Sequence, residues 1–164
     1  MANSNDKDAI AGNVKDILTE YLELKGMRKT PERYAILNAI YAMNGHFTVD
    51  SLHEKMCDEK FFVSKATLFN AINLFIEANL VVRHHFGNIV QYEKIVGVKP
   101  HLHAVCNVCG KVNEVKSVLI DNSIDNVKVK RFRAVYYDLV IYGVCSSCQS
   151  RISRLRNKQK QNKK

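Results

Sequence analysis

Apolar residues recur at helical spacing through the first half of the chain and at alternating spacing afterwards, with the change near Asn79. Ile10, Val14, Ile17, Leu18, Tyr21 and Leu24 fall on one helical face, and Gly26 follows as a stop. Thr30-Pro31 opens the next helix: threonine caps, and proline takes the first turn, where its missing N–H removes no bond. Ala35, Ile36, Leu37, Ile40 and Tyr41 line its inner face as far as Asn44-Gly45. Phe47 before a Thr48 cap predicts a staple onto Leu52, with Met56 continuing the face, and Val63-Ser64 repeats the device ahead of Leu68, Ala71, Ile72 and Phe75. Four helices therefore precede the first strand. Residues 80–86 and 89–95 then alternate around Gly87-Asn88, which predicts a hairpin closed by a two-residue turn.

Short helices followed by a hairpin suggest a winged helix, in which the helix starting at Lys65 enters the major groove of DNA. Its outer face carries Lys65, Thr67, Asn70 and Asn73 for phosphates or base edges, while Phe69 offers only apolar contact, for instance to a thymine methyl. Arg83, His84 or His85 of the wing would approach the DNA backbone. The alternative for this segment is an ordinary amphipathic helix whose outer residues are solvated.

Beyond Gly97 and Pro100 the pattern predicts a strand at 101–105, a cysteine bend, a strand at 111–115, a short helix near 117–127 and a long alternating strand running into Cys145. The expected class is α+β: a winged-helix DNA-binding domain over 1–96, a small α/β domain over 97–150 and a basic tail over 151–164. With 164 residues, 46% of them hydrophobic, the chain can bury one moderate core or two small ones, and the change of period favours two. The formal charge of +9 reduces to +2 without 151–164, which holds seven Lys or Arg and no acid. Charge alone therefore nominates no nucleic-acid surface, and the tail reads as a solvated, frayed end.

Cys106-x-x-Cys109 and Cys145-x-x-Cys148 supply four thiolates from two bends, the tetrahedral set that Zn²⁺ prefers at about 2.3 Å. The 35 residues between Cys109 and Cys145 exceed the zinc-ribbon interval of about 15 to 20, so the metal would clasp a whole small domain. Disulfides and redox pairs are the competing readings. They fit less well: residues 1–30 hold no apolar signal core, no run approaches about 18 apolar residues, and Cys57 would be left over. The expectation is a soluble, cytoplasmic chain with no membrane partner, Cys57 being a helix residue. His101 and His103, two apart on a strand, share a face and could hold a second, exchangeable metal.

In their order and spacing these features resemble the ferric uptake regulator family of metal-responsive bacterial repressors over nearly the whole chain. The matching residues are Gly26-Met27-Arg28-Lys29-Thr30-Pro31-Glu32-Arg33 with Ala35-Ile36-Leu37, then Ala66-Thr67-Leu68-Phe69, His101-Leu102-His103-Ala104-Val105-Cys106 through Cys109-Gly110-Lys111, and Tyr142-Gly143-Val144-Cys145 through Cys148. The resemblance implies a homodimer bound to a pseudo-palindromic, A·T-rich DNA operator, with no small-molecule substrate. It also implies a regulatory site of His46, Glu93, His101 and His103, with Glu114 as a further oxygen ligand, that spans the two domains. The chain departs from the family at Phe69, where tyrosine is usual, and in Val135-Tyr136-Tyr137-Asp138-Leu139, which lacks the histidine of an additional metal site; Asp121 could match a carboxylate of that site.

Nitrogen and oxygen ligands without sulfur suit Fe²⁺, Mn²⁺, Co²⁺ or Zn²⁺. Glu93 stands where zinc-sensing relatives often have cysteine, so Fe²⁺ is the first expectation, with Mn²⁺ or Zn²⁺ as alternatives. Tyr34 replaces a histidine of the peroxide-sensing relatives, leaving peroxide sensing through His46 or His101 as the second reading. From another class, His101 and His103 with Glu93 or Glu114 could make a small zinc hydrolase, or the chain could be a zinc-clasped interaction module. The first lacks a His-Glu-x-x-His pair and a Gly-rich phosphate loop, and the expectation is a regulator, not an enzyme.

Overall fold

The structure, a computed structural model, describes residues 4–87, 89–98, 101–132, 134 and 136–161. They form α1 (Ser4–Leu24), α2 (Pro31–Ala42), α3 (Val49–Asp58), α4 (Lys65–Glu77), β1 (Val81–Phe86), β2 (Ile89–Lys94), β3 (Leu102–Cys106), β4 (Val112–Val115), α5 (Val118–Asp125), β5 (Leu139–Gly143) and α6 (Ser146–Gln161). The class is mixed α+β. The chain divides into two compact units: the described residues up to His85 with Val90–Val98, and the described residues of 86–89 with those from His101 onward.

In the first unit α1 to α4 enclose a core to which Val14, Leu18, Leu22, Ile36, Leu37, Ile40, Leu52, Leu68, Ile72 and Phe75 each contribute fully or almost fully buried side chains. Each such side chain contributes roughly 1.5–3 kcal/mol over an exposed position. The stripe of α1 corrects the sequence reading at one place: Val14, Leu18 and Leu22 repeat every fourth residue, whereas Leu24 is 84% exposed. Two residues beyond Leu22 is about 200° around the helix, on the opposite side. Gly26, at φ +63°, ends α1, with its N–H on the Glu23 carbonyl and that of Met27 on the Leu22 carbonyl.

The caps are a second test of local chemistry. Thr48 Oγ1 accepts from the Ser51 N–H at 3.1 Å while Ser51 Oγ accepts from the Thr48 N–H at 2.9 Å, a reciprocal box at the start of α3. Ser64 accepts from the Thr67 N–H at 3.1 Å and starts α4 in the same way. Thr30, expected to cap α2, makes no side-chain cap bond; its backbone carbonyl takes the Arg33 N–H instead, in a tight first turn behind Pro31.

β1 and β2 form the expected hairpin, with Gly87 at φ +64°; Asn88 of the expected turn lies outside the described residues. The ammonium of Lys94 on β2 donates to the carbonyls of Tyr41 and Met43, satisfying groups left open at the end of α2.

The second unit is a three-stranded sheet in the order β4-β3-β5, with β3 antiparallel to β4 and parallel to β5. Two expectations change here. The long strand before Cys145 is only five residues, Leu139–Gly143, and the basic stretch expected to fray is helical as far as Gln161. α6 begins inside the second cysteine pair, so its first turn is anchored; Arg, Lys and Gln are good helix formers, and cations suit its C-terminal end. Among the described residues no helix is long and apolar enough to cross a membrane.

Candidate metal centre

The four cysteine sulfurs, from Cys106, Cys109, Cys145 and Cys148, lie within 4.8 Å of one another. The parallel β3–β5 pairing runs out at Cys106 opposite Gly143, so both cysteine bends emerge at the same end of the sheet. Backbone groups lock them: the Gly110 N–H closes the first bend on the Cys106 carbonyl, the Asn107 N–H reaches the Gly143 carbonyl, and the Cys145 N–H donates to Cys106 Sγ at 3.3 Å. Cys109 Sγ and Cys145 Sγ stand 3.8 Å apart. Four sulfurs at about 2.3 Å around a tetrahedral zinc are about 3.8 Å apart, so the set fits a structural zinc site.

Backbone donors, that of Cys145 first and then those of Cys109 and Val108, hold the Cys106 thiol down to about 6. Burial, followed by the three neighbouring thiols, pushes Cys148 up to about 12. A cluster that readily ionises one sulfur and resists ionising another is one whose negative charge needs a bound cation.

A second group of donors lies inside the first unit. An isolated bridge joins Phe47 to Tyr92 by two backbone bonds of 2.8 Å, bringing the residue before the α3 cap beside β2. It brings His46 to Glu93, with His46 Nε2 3.6 Å from Glu93 Oε2. His84 on β1 approaches the same oxygen at 3.4 Å. His84 is 3% exposed and Glu93 5%. Ligands at about 2.1 Å around a divalent ion stand roughly 3.0–3.5 Å apart, so the Glu93 carboxylate and these imidazoles are close to metal-ligand spacing. By sequence His84 and His85 are alternative wing residues for the DNA backbone. The signal that separates them is alternation: Val82, His84 and Phe86 face inward and His85 outward.

The remaining donors lie in the second unit, on and beside β3. His101 and His103 have ring centroids 4.7 Å apart, as expected for residues two apart on a strand. Glu114 pairs with His103 across β3–β4, and its carboxylate is 4.0 Å from His101 Nε2. His103 is buried, with its Nδ1 3.2 Å from Asp138 Oδ1. Asp121 lies in α5.

Of the residues expected to meet DNA, Lys65, Thr67, Phe69 and Asn70 are exposed on α4. Lys65 is ion-paired with Asp50 of α3, which holds the Asp50 carboxyl below its usual range. Thr67 and Asn70 line a cavity of about 270 Å³ together with Thr30 and Arg33 at the start of α2. Arg83 is half-buried: its guanidinium donates to Asn73 of α4 and lies 5.7 Å from the Tyr92 ring centroid, so it braces the hairpin against α4. Cys57 sits within α3.

Helices and most of the hairpin in one unit, a thiolate-clasped α/β sheet in the other, and buried imidazoles in both define a mixed α+β protein with a structural zinc site and candidate sites for a second metal. A family model described as the Ferric uptake regulator family matches residues 24–142, and the chain belongs to that family of metal-responsive transcription regulators. The ferric uptake regulation protein of Campylobacter jejuni is 26% identical over 148 residues, covering 86% of this chain and 94% of its own. The peroxide operon regulator of Bacillus subtilis is 30% identical over 143 residues, covering 86% and 97%. The solved ferric uptake regulator from Pseudomonas aeruginosa with manganese is 27% identical with a TM-score of 0.64, over 78% of this chain and 97% of that one.

Proposed function

We propose that this protein is a cytoplasmic, metal-dependent repressor that binds a pseudo-palindromic operator as a homodimer, with Fe²⁺ as the first choice of sensed ion. On this reading the first unit is a winged helix. α4 enters the major groove, where Lys65 meets phosphate, Thr67, Phe69 and Asn70 meet base edges, and the Arg83 side chain steadies the wing. The observation that carries the reading is Glu93, a buried carboxylate flanked by His46 and His84 in the unit that would hold the DNA. A buried carboxylate beside imidazoles is costly without a cation and is natural as a half-built metal site.

The regulatory ligands would be His46 and Glu93 from one unit and His101 and His103 from the other, with Glu114 as a further oxygen. A divalent ion supplies the bonds that favour one arrangement of the units, in which the two α4 helices of a dimer match successive DNA turns about 34–36 Å apart. Moving that population from 1:99 to 99:1 requires about 5.5 kcal/mol of differential metal binding, within reach of several imidazole and carboxylate bonds. The exposed apolar side chains of the second unit, among them Val118, Leu119, Phe132 and Ile141, suit the face between two copies.

Selection of duplexes from a random pool under anaerobic Fe²⁺, Mn²⁺ or Zn²⁺ tests the reading and ranks the metals. His101→Ala should keep zinc and dimer yet lose the metal stimulation of DNA binding; an undiminished response would sink the sensor assignment. Peroxide sensing is the second reading, favoured by the likeness to the Bacillus subtilis regulator. It predicts that hydrogen peroxide transfers one oxygen atom to His46 or His101 of the iron-loaded protein, the remainder leaving as water, and that the oxidised protein releases DNA.

A further inference from the structure

Asp138 immediately precedes β5, and the parallel register sets Leu139 beside Leu102 and Val140 beside His103. Residues two apart on a strand share a face, so Asp138 continues the face of Val140 and stands one diagonal step from His103. The result is a short contact, 3.2 Å from Asp138 Oδ1 to His103 Nδ1, with the imidazole side chain 2% exposed and the carboxylate 29%. On another side the Phe86 ring packs at 4.9 Å between centroids, so the imidazole is confined by a hydrogen-bond partner and an apolar wall.

We propose that Asp138 is the positioning residue for His103 as a metal ligand, an inference that rests on the reading of His103 as one. A neutral imidazole carries one ring proton. A carboxylate offers only acceptors, so the contact selects the tautomer in which Nδ1–H donates to Asp138 and Nε2 keeps its lone pair. The same bond fixes the rotation of the ring and hence the direction of that lone pair. A histidine held in this way binds a divalent ion without first changing tautomer or rotamer, and loss of such a partner lowers metal affinity about 10–100-fold. The segment that lacks the histidine of an additional site thus supplies a carboxylate behind the regulatory ligands instead.

Two measurements on the full-length, zinc-loaded chain test this. Heteronuclear NMR of the imidazole nitrogens, without added regulatory metal, should show His103 as the Nδ1–H tautomer in the wild type and as a mixture in Asp138→Ala. Anaerobic Co²⁺ titration, followed by visible absorption, should show Asp138→Ala with a Kd raised about 10–100-fold and an unchanged band shape, and Asp138→Glu recovering most of the loss. An unshifted Kd in Asp138→Ala, with His103→Ala clearly weakened, overturns the inference alone. A changed band shape also overturns it, because Asp138 would then be a ligand itself. If His103→Ala binds Co²⁺ as the wild type does, the reading of the regulatory site fails and the inference with it. Should Asp138→Ala lose zinc or secondary structure, the carboxylate-retaining Asp138→Glu decides: its tautomer and Kd must stay near those of the wild type.

Discussion

The two units solve the problem of a small core in opposite ways. In the first, helical stripes from α1 to α4 interlock around Leu18, Ile36, Leu68 and Phe75, and the core is built from apolar side chains. In the second, Leu102, Val105, Cys106 and Cys148 are buried, while Leu119 is 81% exposed, Val118 73% and Phe132 68%. A unit with so little buried surface gains from a cross-link, and on the homodimer reading its apolar face is covered by a second copy. One half of this chain draws its stability from side-chain packing, whereas the other combines a thiolate cluster with an apolar face left exposed.

The largest effect should come from the clasp. Cys106→Ser, or prolonged chelation, should unfold the second unit while α1 to α4 stay helical, because structural zinc contributes apparent free energies of about 10–16 kcal/mol. Circular dichroism with zinc analysis checks this; retained sheet signal without zinc would break the contrast. Leu18→Ala should cost about 2–5 kcal/mol in denaturant unfolding of the first unit and leave zinc content untouched. If the protein is the proposed homodimer, Leu119→Asp, which places a charge on the exposed face of α5, should convert dimer to monomer in sedimentation without lowering zinc content; an unchanged dimer would move the interface elsewhere.

Acidity offers a finer probe. Zinc needs thiolates, and Cys148, held near 12, must lose its proton on binding, whereas Cys106, near 6, is largely ionised at neutral pH. Apparent zinc affinity should therefore rise with pH by about tenfold per unit for each proton displaced, and Cys106 should add a proton to that slope below about pH 6. A competition titration against a chelator reads the slope; a flat profile would mean that the sulfurs are already ionised. The smallest effect belongs to Lys65→Ala, which should weaken operator binding roughly uniformly across sequences and lower the salt slope by about one. An unchanged slope would mean that Lys65 stays with Asp50 on DNA.

Much of this was legible beforehand. The caps at Thr48 and Ser64, the stop at Gly26, the hairpin and each of the two cysteine bends are set by residues a few positions apart, where periodicity and turn chemistry act directly. The misreadings have the same root. Hydrophobicity alone puts Leu24 on the stripe although its angle lies outside, and cap preference assigns the Thr30 hydroxyl what its carbonyl does. Charge alone predicts a frayed end at 151–164, whereas the anchor at Cys145 and Cys148 starts α6.

What the residues alone determined is the repertoire: which segments coil, which extend, and which carry sulfur, imidazole or carboxylate. Which of those groups meet was decided by tertiary structure. Asp138 reaches His103 across 35 positions through the β3–β5 register, Arg83 turns to Asn73, and His46 meets Glu93 because the Phe47–Tyr92 bridge joins the start of α3 to β2. Local periodicity sets the face on which a side chain lies, but only pairing between distant strands sets its neighbour, and coordination chemistry depends on the neighbour.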